Sequence, residues 1–286
     1  MELGRVGVWN GRLRSDKPGV REEIQAAVAE LDRLGYGAVW IGGSPRVHQA
    51  EPILQATTGL TVATGIVNIW DDDAATVAAE HARLTAAHPG RFLLGLGAGH
   101  SATVKEYSKP YSAMVEFLDG LDAAAQPVPK DERVLAALGP KMLTLAAQRT
   151  LGAHPYLVTP EHTATARERL GNGPLLAPEI KVVLESDPSR ARLQAREHLA
   201  AYLQLTNYTS NLLRLGFTED DLADGGSDRL IDATFAWGSD EAVRARIGEF
   251  QDAGADHVVL QVVGDSAALP RQAWRDLAEM LKLTPR

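Results

Sequence analysis

Short apolar runs alternate with segments of helical periodicity along this 286-residue chain. Residues 5–9 read as a strand, and 20–34 as an amphipathic helix with Ile24, Ala27, Val28, Leu31 and Leu34 on one face. Gly35-Tyr36-Gly37 stops that helix, and the run 38–42 predicts a second strand. A helix is expected over 45–58 and a third strand over 60–69. Asp71-Asp72-Asp73 then supplies capping groups for a helix over 74–87. Residues 92–97 form a fourth apolar run, and further strands are predicted at 134–139, 153–158, 181–185 and 257–263. Helices are expected from Pro140, from Asp187-Pro188 to about 203, and over 239–253 and 269–281. Eight strands, each generally followed by a helix, predict an α/β protein with a (β/α)8 barrel fold, a single domain over 1–286. Two stretches exceed a minimal barrel. Residues 123–133 are expected to be a connecting loop, and 206–236 an insertion between strands seven and eight.

Composition narrows the chemistry. There is no cysteine, which excludes disulfides, thiolate catalysis and Cys-ligated metals. The net charge of −8 argues against a nucleic-acid or anionic membrane surface, which needs concentrated Lys and Arg. The first residues lack the apolar core of a signal peptide, and no run of about 18 apolar residues exists. A cytoplasmic location and a small-molecule substrate are the expectation.

In a barrel the reactive groups sit at the C-terminal strand ends. Here glycine marks most of these ends, and the most telling is Arg91-Phe92-Leu93-Leu94-Gly95-Leu96-Gly97-Ala98-Gly99-His100. Glycines alternating out of a strand suit either a tight packed turn or bare main chain held against phosphate or a flat ring. The spacing is not a dinucleotide fingerprint, because His100 stands where the third glycine would fall. A hydrolase reading fails on the motifs. Gly99-His100-Ser101-Ala102-Thr103 and Gly42-Gly43-Ser44-Pro45-Arg46 each lack the second glycine of a nucleophile elbow, and no His/Asp spacing fits a metal.

With these strand ends in place, the sequence resembles the luciferase-like monooxygenase superfamily, within it the branch using the deazaflavin coenzyme F420. The resemblance is carried by Ala63-Thr64-Gly65-Ile66-Val67-Asn68, by the run from Gly90 to His100, by Ala137-Leu138-Gly139-Pro140-Lys141-Met142, and by Ala253-Gly254-Ala255-Asp256-His257-Val258. It implies a cofactor, F420 or alternatively FMN, with its ring at the barrel mouth. Gly43, Ser44, Gly65, Ile66, Val67, Asn68 and His154 are then expected near the cofactor. The Gly65-Ile66 bend would be a non-prolyl cis peptide supporting the ring, against a simple trans β-bulge. Gly97, Ala98 and Gly99, with Gly139, Pro140, Lys141 and Met142, would receive the phosphate-bearing tail, although Lys141 could equally be a surface lysine.

The implied activity is hydride transfer between the deazaflavin C5 and an unidentified organic substrate. The alternatives are an FMN-dependent monooxygenase or reductase, and a non-catalytic flavin-binding protein. His100 is the catalytic candidate, as proton donor or acceptor or as a hydrogen-bond partner of the cofactor; His154 and Tyr156 are weaker candidates for the proton role. No metal ligands are expected, and a homodimer is. Deazaflavin-dependent sugar-phosphate dehydrogenases carry an Asp-His pair after strand two and an acid after the glycine motif. This chain has Gly43-Ser44 and His100 there, which puts that substrate class in doubt.

Overall fold

The computed structural model describes residues 3–14, 16–100, 107–264 and 268–286. Its first half runs β1 (Val6–Asn10), α1 (Pro18–Arg33), β2 (Ala38–Gly42), α2 (Glu51–Ala56), β3 (Thr61–Gly65), β4 (Val67–Asn68), α3 (Ala74–Ala87), β5 (Phe92–Gly97) and α4 (Pro110–Ala123). The second half runs β6 (Arg133–Leu135), α5 (Pro140–Arg149), β7 (Gly152–Ala153), α6 (Pro160–Leu170), β8 (Leu175–Leu176), β9 (Glu179–Val183), α7 (Pro188–Leu199), α8 (Thr206–Arg214), α9 (Glu219–Leu222), α10 (Asp228–Thr234), β10 (Phe235–Trp237), α11 (Asp240–Asp252), β11 (Val258–Val262) and α12 (Arg271–Met280).

All strand pairings are parallel, and they close a barrel. β1 pairs with β2, β2 with β3, β3 with β5, β5 with β6, β6 with β7 and β7 with β8. β8 and β9 form one stave interrupted at Ala177-Pro178, and β9 pairs with β11, which returns to β1. Amides of Ala177 and Glu179 bond Ala153 and Pro155, carrying the β7 contact across the interruption. The eight predicted strands are therefore the eight staves. β10, unforeseen in the sequence, lies alongside β9 with Phe235 opposite Lys181.

Several elements differ from expectation for local reasons. The run 60–69 is two strands, because the chain turns at a cis Gly65-Ile66 peptide. The fifth and sixth strands stop at Leu135 and Ala153. Beyond Ala153, Pro155 has no N–H to give a neighbour and Leu157 takes a positive φ of 54°. The stretch 45–58 begins as a 3-10 turn (Val47–Ala50) before α2, and α7 ends at Leu199, four residues before the expected limit. The segment 206–236 holds α8, α9 and α10 and the start of β10. The loop expected over 123–133 ends in a 3-10 turn, Lys130–Glu132. No described helix is long and apolar enough to cross a membrane.

The barrel interior is packed, not open. Ala38, Trp40, Ala63, Leu93, Val134, Ala177 and Val259 fill it, and a larger apolar layer joins the staves to the outer helices. Trp40 is fully buried; its indole stacks on His154 with ring centroids 4.2 Å apart and donates to Nε2 of His257 at 3.2 Å. The other nitrogens of these imidazoles face Ala177 O (2.7 Å) and Gly4 O (2.9 Å). His257 accepts from an indole N–H, so it is a neutral tautomer protonated at Nδ1.

Burial depresses His154 and His257 to about 4 each. Both stay neutral in the fold while the unfolded chain takes up their protons near pH 6.5. The stability this contributes is complete above 6.5 and is lost as pH falls towards 4, by about 2 kcal/mol per group at pH 5. Denaturant unfolding at pH 7.5 and pH 5.0 should therefore show a drop of several kcal/mol; equal stabilities would disprove the neutral-imidazole plug.

Candidate functional site

A cavity of 750 Å³ opens at the C-terminal ends of the strands. Most of its lining falls into two groups of residues with different chemistry, with Arg14, Tyr107 and Pro110 at the edge. The first is made by the staves and the turns that follow them: Trp9 on β1, Gly43 and Ser44 after β2, Gly65 and Ile66 at the cis bend, Asn68, Gly97 to His100, residues 136–139, Met142 and His154. The second is made by Tyr156 together with Tyr202, Leu205 and residues of α8, namely Thr206, Asn207, Tyr208, Ser210 and Arg214.

The alternating glycines divide their roles. A Cβ on Gly95 would stand 1.9 Å from the Thr64 carbonyl oxygen, and Thr64 Oγ1 both accepts from Gly95 N (2.8 Å) and donates to Gly95 O (2.9 Å). Gly95 thus serves strand contact rather than ligand contact. A Cβ on Gly97 would meet Ile66 Cδ1 and Cγ1 at 2.6 Å, so the notch at Gly97 seats the Ile66 side chain. Gly99 has φ +63° and lies against the Asn68 amide, where a side chain would be both strained and crowded. Thr64 and Ile66 on one stave thus interlock with Gly95 and Gly97 on the next.

Of the residues predicted for the site, Gly43, Ser44, Gly65, Ile66, Asn68, Gly97, Ala98, Gly99, His100, Gly139, Met142 and His154 line this one cavity. Val67, Pro140 and Lys141 are not among them. Alternation along the short strand turns Val67 into the apolar core, 1% exposed, while Ile66 and Asn68 face the mouth. In the first turn of α5, positions 139 and 142 face inwards, and Pro140 and Lys141 stand exposed outside the lining. The cation at this corner is Arg214 instead, whose Nη2 lies 4.0 Å from where a Gly139 side chain would begin. Arg14, bonded to Gly43 O, supplies a second cation at the rim.

His154 is 2% exposed, and its Nε2 has no partner. With Nδ1 tied to Ala177 O, Nε2 of this neutral ring is a bare acceptor lying 3.6 Å from the position of a Gly65 Cβ. Trp9 covers the neighbouring space and donates from Nε1 to Gly65 O at 3.2 Å. His100 is half-buried, its ring centroid is 5.0 Å from that of Tyr208, and burial lowers its pKa, so the imidazole is neutral at pH 7.

Sequence reasoning missed the groups behind Tyr156. Lys181 and Glu179 are both fully buried and paired, Nζ to Oε2, at 2.8 Å. The ammonium stands 3.8 Å over the Tyr156 ring and 5.2 Å from that of Tyr202. Glu179 also accepts from Leu157 N at 3.2 Å. Burial raises the carboxyl and lowers the amine, and each partner opposes that shift in the other. The signal for this pair was present as two charges at alternate positions of an apolar strand, Glu179-Ile180-Lys181-Val182. Reading the strand from 181 left Glu179 outside it.

Among the described residues, no group of three or more His, Asp or Glu side chains is placed to hold a metal ion. Ser101 and Thr103 lie outside the described residues. The described lining contains no Asp or Glu; its polar side chains are those of histidine, tyrosine, serine, threonine, asparagine, tryptophan and arginine.

The sequence profile of the luciferase-like monooxygenase family matches residues 1–257, and the chain belongs to that family. An F420-dependent secondary alcohol dehydrogenase, solved with an F420-acetone adduct, superposes with a TM-score of 0.73 at 16% identity, covering 98% of both chains. The coenzyme F420 dependent tetrahydromethanopterin reductase of Methanopyrus kandleri gives 0.66 at 16%, covering 96% of this chain and 97% of that one. The FMN-bound oxygenating constituent of 3,6-diketocamphane monooxygenase from Pseudomonas putida gives 0.66 at 14%, covering 97% and 96%. Curated protein sequences yield no match.

The helix carrying Tyr208 and Arg214 also anchors to the glycine loop, through Asn207 Nδ2 to Gly99 O at 3.0 Å. Ligand in the cavity should hold this segment down. Limited proteolysis is expected to cut within 206–236 more slowly once cofactor and substrate are bound, and unchanged cutting would show that it is not a cover.

Proposed function

We propose that this protein is an oxidoreductase that binds coenzyme F420 and transfers hydride between the deazaflavin C5 and a small organic substrate. The observation that carries the reading is the buried, unpartnered Nε2 of His154 beside the cis Gly65-Ile66 bend, facing a cavity large enough for a tricyclic ring. A neutral heterocycle with ring N–H and C=O groups satisfies such an acceptor; a purely apolar ligand leaves it unpaired, at a cost of about 1–3 kcal/mol.

Ile66, seated on Gly97, would support the ring, with Asn68 and the Gly97 to Gly99 main chain beside it. The start of α5 at Gly139, with Arg214 across from it, would hold a phosphate, combining free amides and a cation. The bound deazaflavin supplies the hydride chemistry; the protein supplies orientation, exclusion of water and proton handling. His100, neutral and cavity-facing, takes the proton from, or returns it to, the substrate oxygen. FMN is the second reading, supported by the fold likeness to the FMN-bound enzyme. A cytoplasmic homodimer is part of the same proposal.

Three measurements test this. Titration of cofactor-free protein with F420 and with FMN at matched salt should give micromolar or tighter binding of F420 and weaker binding of FMN. The opposite order moves the assignment to a flavin enzyme, and no binding of either ends it. His100→Ala should lower turnover with F420 more than tenfold at unchanged F420 affinity. His154→Phe should instead weaken F420 binding, by roughly three- to tenfold.

A further inference from the structure

Three tyrosines make one continuous patch of the cavity lining. Tyr156, Tyr202 and Tyr208 touch pairwise, with ring centroids 5.6 Å (156–202), 5.8 Å (156–208) and 5.6 Å (202–208) apart. Trp9 extends the patch at 5.3 Å from Tyr156.

Two of the three hydroxyl protons are already committed. Tyr156 donates to Gln261 Oε1 at 2.6 Å, so the 2.7 Å contact between the Tyr156 and Tyr202 oxygens must use the Tyr202 proton. Tyr208 differs. It is 9% exposed, lines the cavity, and its hydroxyl makes no hydrogen bond to any described residue. The hydroxyl opens to the cavity, so a group bound there can accept its proton.

The patch is also held rigid. Its Tyr156 ring lies against the buried Lys181 ammonium, which is pinned by Glu179, and the paired hydroxyls fix Tyr156 relative to Tyr202. A preformed aromatic surface loses little freedom when a ring packs on it. No carboxylate among the described residues lines the cavity, and the cations of its lining, Arg14 and Arg214, belong to Gly43 and the start of α5.

We propose that this tyrosine patch is the substrate surface and that it selects an uncharged aromatic ketone or aldehyde, or the corresponding alcohol, the ring packing on the tyrosines and the oxygen accepting from Tyr208. The inference rests on the F420 reading for the reaction, and on the patch alone for the ligand class. Sugars, whose many hydroxyls need many partners, are poorly served by it.

The test is calorimetric titration of the protein, with and without F420, using acetophenone, cyclohexyl methyl ketone and ethylbenzene. Acetophenone should bind about tenfold more tightly than its saturated-ring counterpart, the scale of one to two aromatic contacts. Tyr208→Phe should weaken acetophenone roughly three- to tenfold, the worth of one hydrogen bond, and leave ethylbenzene unchanged. Equal affinities for the two ketones, or equal weakening of acetophenone and ethylbenzene in Tyr208→Phe, overturn the proposal. Either result can occur while F420 still binds, which leaves the cofactor assignment standing. Failure of F420 to bind strikes that assignment, and the titrations without cofactor still decide the ligand class.

Discussion

The indole of Trp40, packed inside the barrel between two uncharged imidazoles, is the interaction on which the site depends. A parallel barrel must fill its own interior, and one large ring here occupies space that smaller residues could not. His154 stacks on one face of it and His257 receives its N–H. Each imidazole is tied to a backbone carbonyl of a different part of the chain. The arrangement works only with both rings uncharged, since an imidazolium at His257 would have no lone pair for the indole. The same packing decides what the cavity meets at its base. It leaves the far nitrogen of His154 bare, beside Gly65.

Above that plug the mouth is built from two sources. The staves provide small residues and main chain around the Ile66 bend, a surface suited to a broad flat group. The segment after α7 provides rings and the polar side of α8, where Thr206, Asn207, Ser210 and Arg214 recur at helical spacing towards the cavity. A helix normally turns such a side to solvent. Turned inwards, it brings hydrogen-bonding groups to an interior otherwise poor in them, and it places a guanidinium at the first turn of α5.

Much of this was legible in the sequence, for identifiable reasons. Apolar runs bounded by glycine and proline marked all eight staves, because a strand covered on both faces has to be apolar throughout. The alternating glycines after Phe92 pointed to the mouth, although Gly95 turned out to serve Thr64 and Gly97 to seat Ile66. The limits were equally physical. Which residues of the first turn of α5 face inwards depends on the rotation of that helix against the barrel. The dipole argument therefore found the corner and named Lys141, whereas the cation that lines the cavity there is Arg214, from a different helix. Tyr202 belongs to a three-residue 3-10 turn whose periodicity is too brief to assign a face. The Glu179–Lys181 pair was hidden because the strand was read from Lys181, which left its partner two residues upstream outside the stave.

The mouth's two surfaces belong to stretches of the chain that answer to different constraints. Ile66 and Gly97 are bound into the strand interlock, so altering them disturbs the barrel itself. Tyr202, Tyr208 and Arg214 sit on a connection that adds no stave. Lineages can therefore remodel the second surface while inheriting the first unchanged, so descendants of one ancestral scaffold can drift apart in what they accept and still share the same reactive partner.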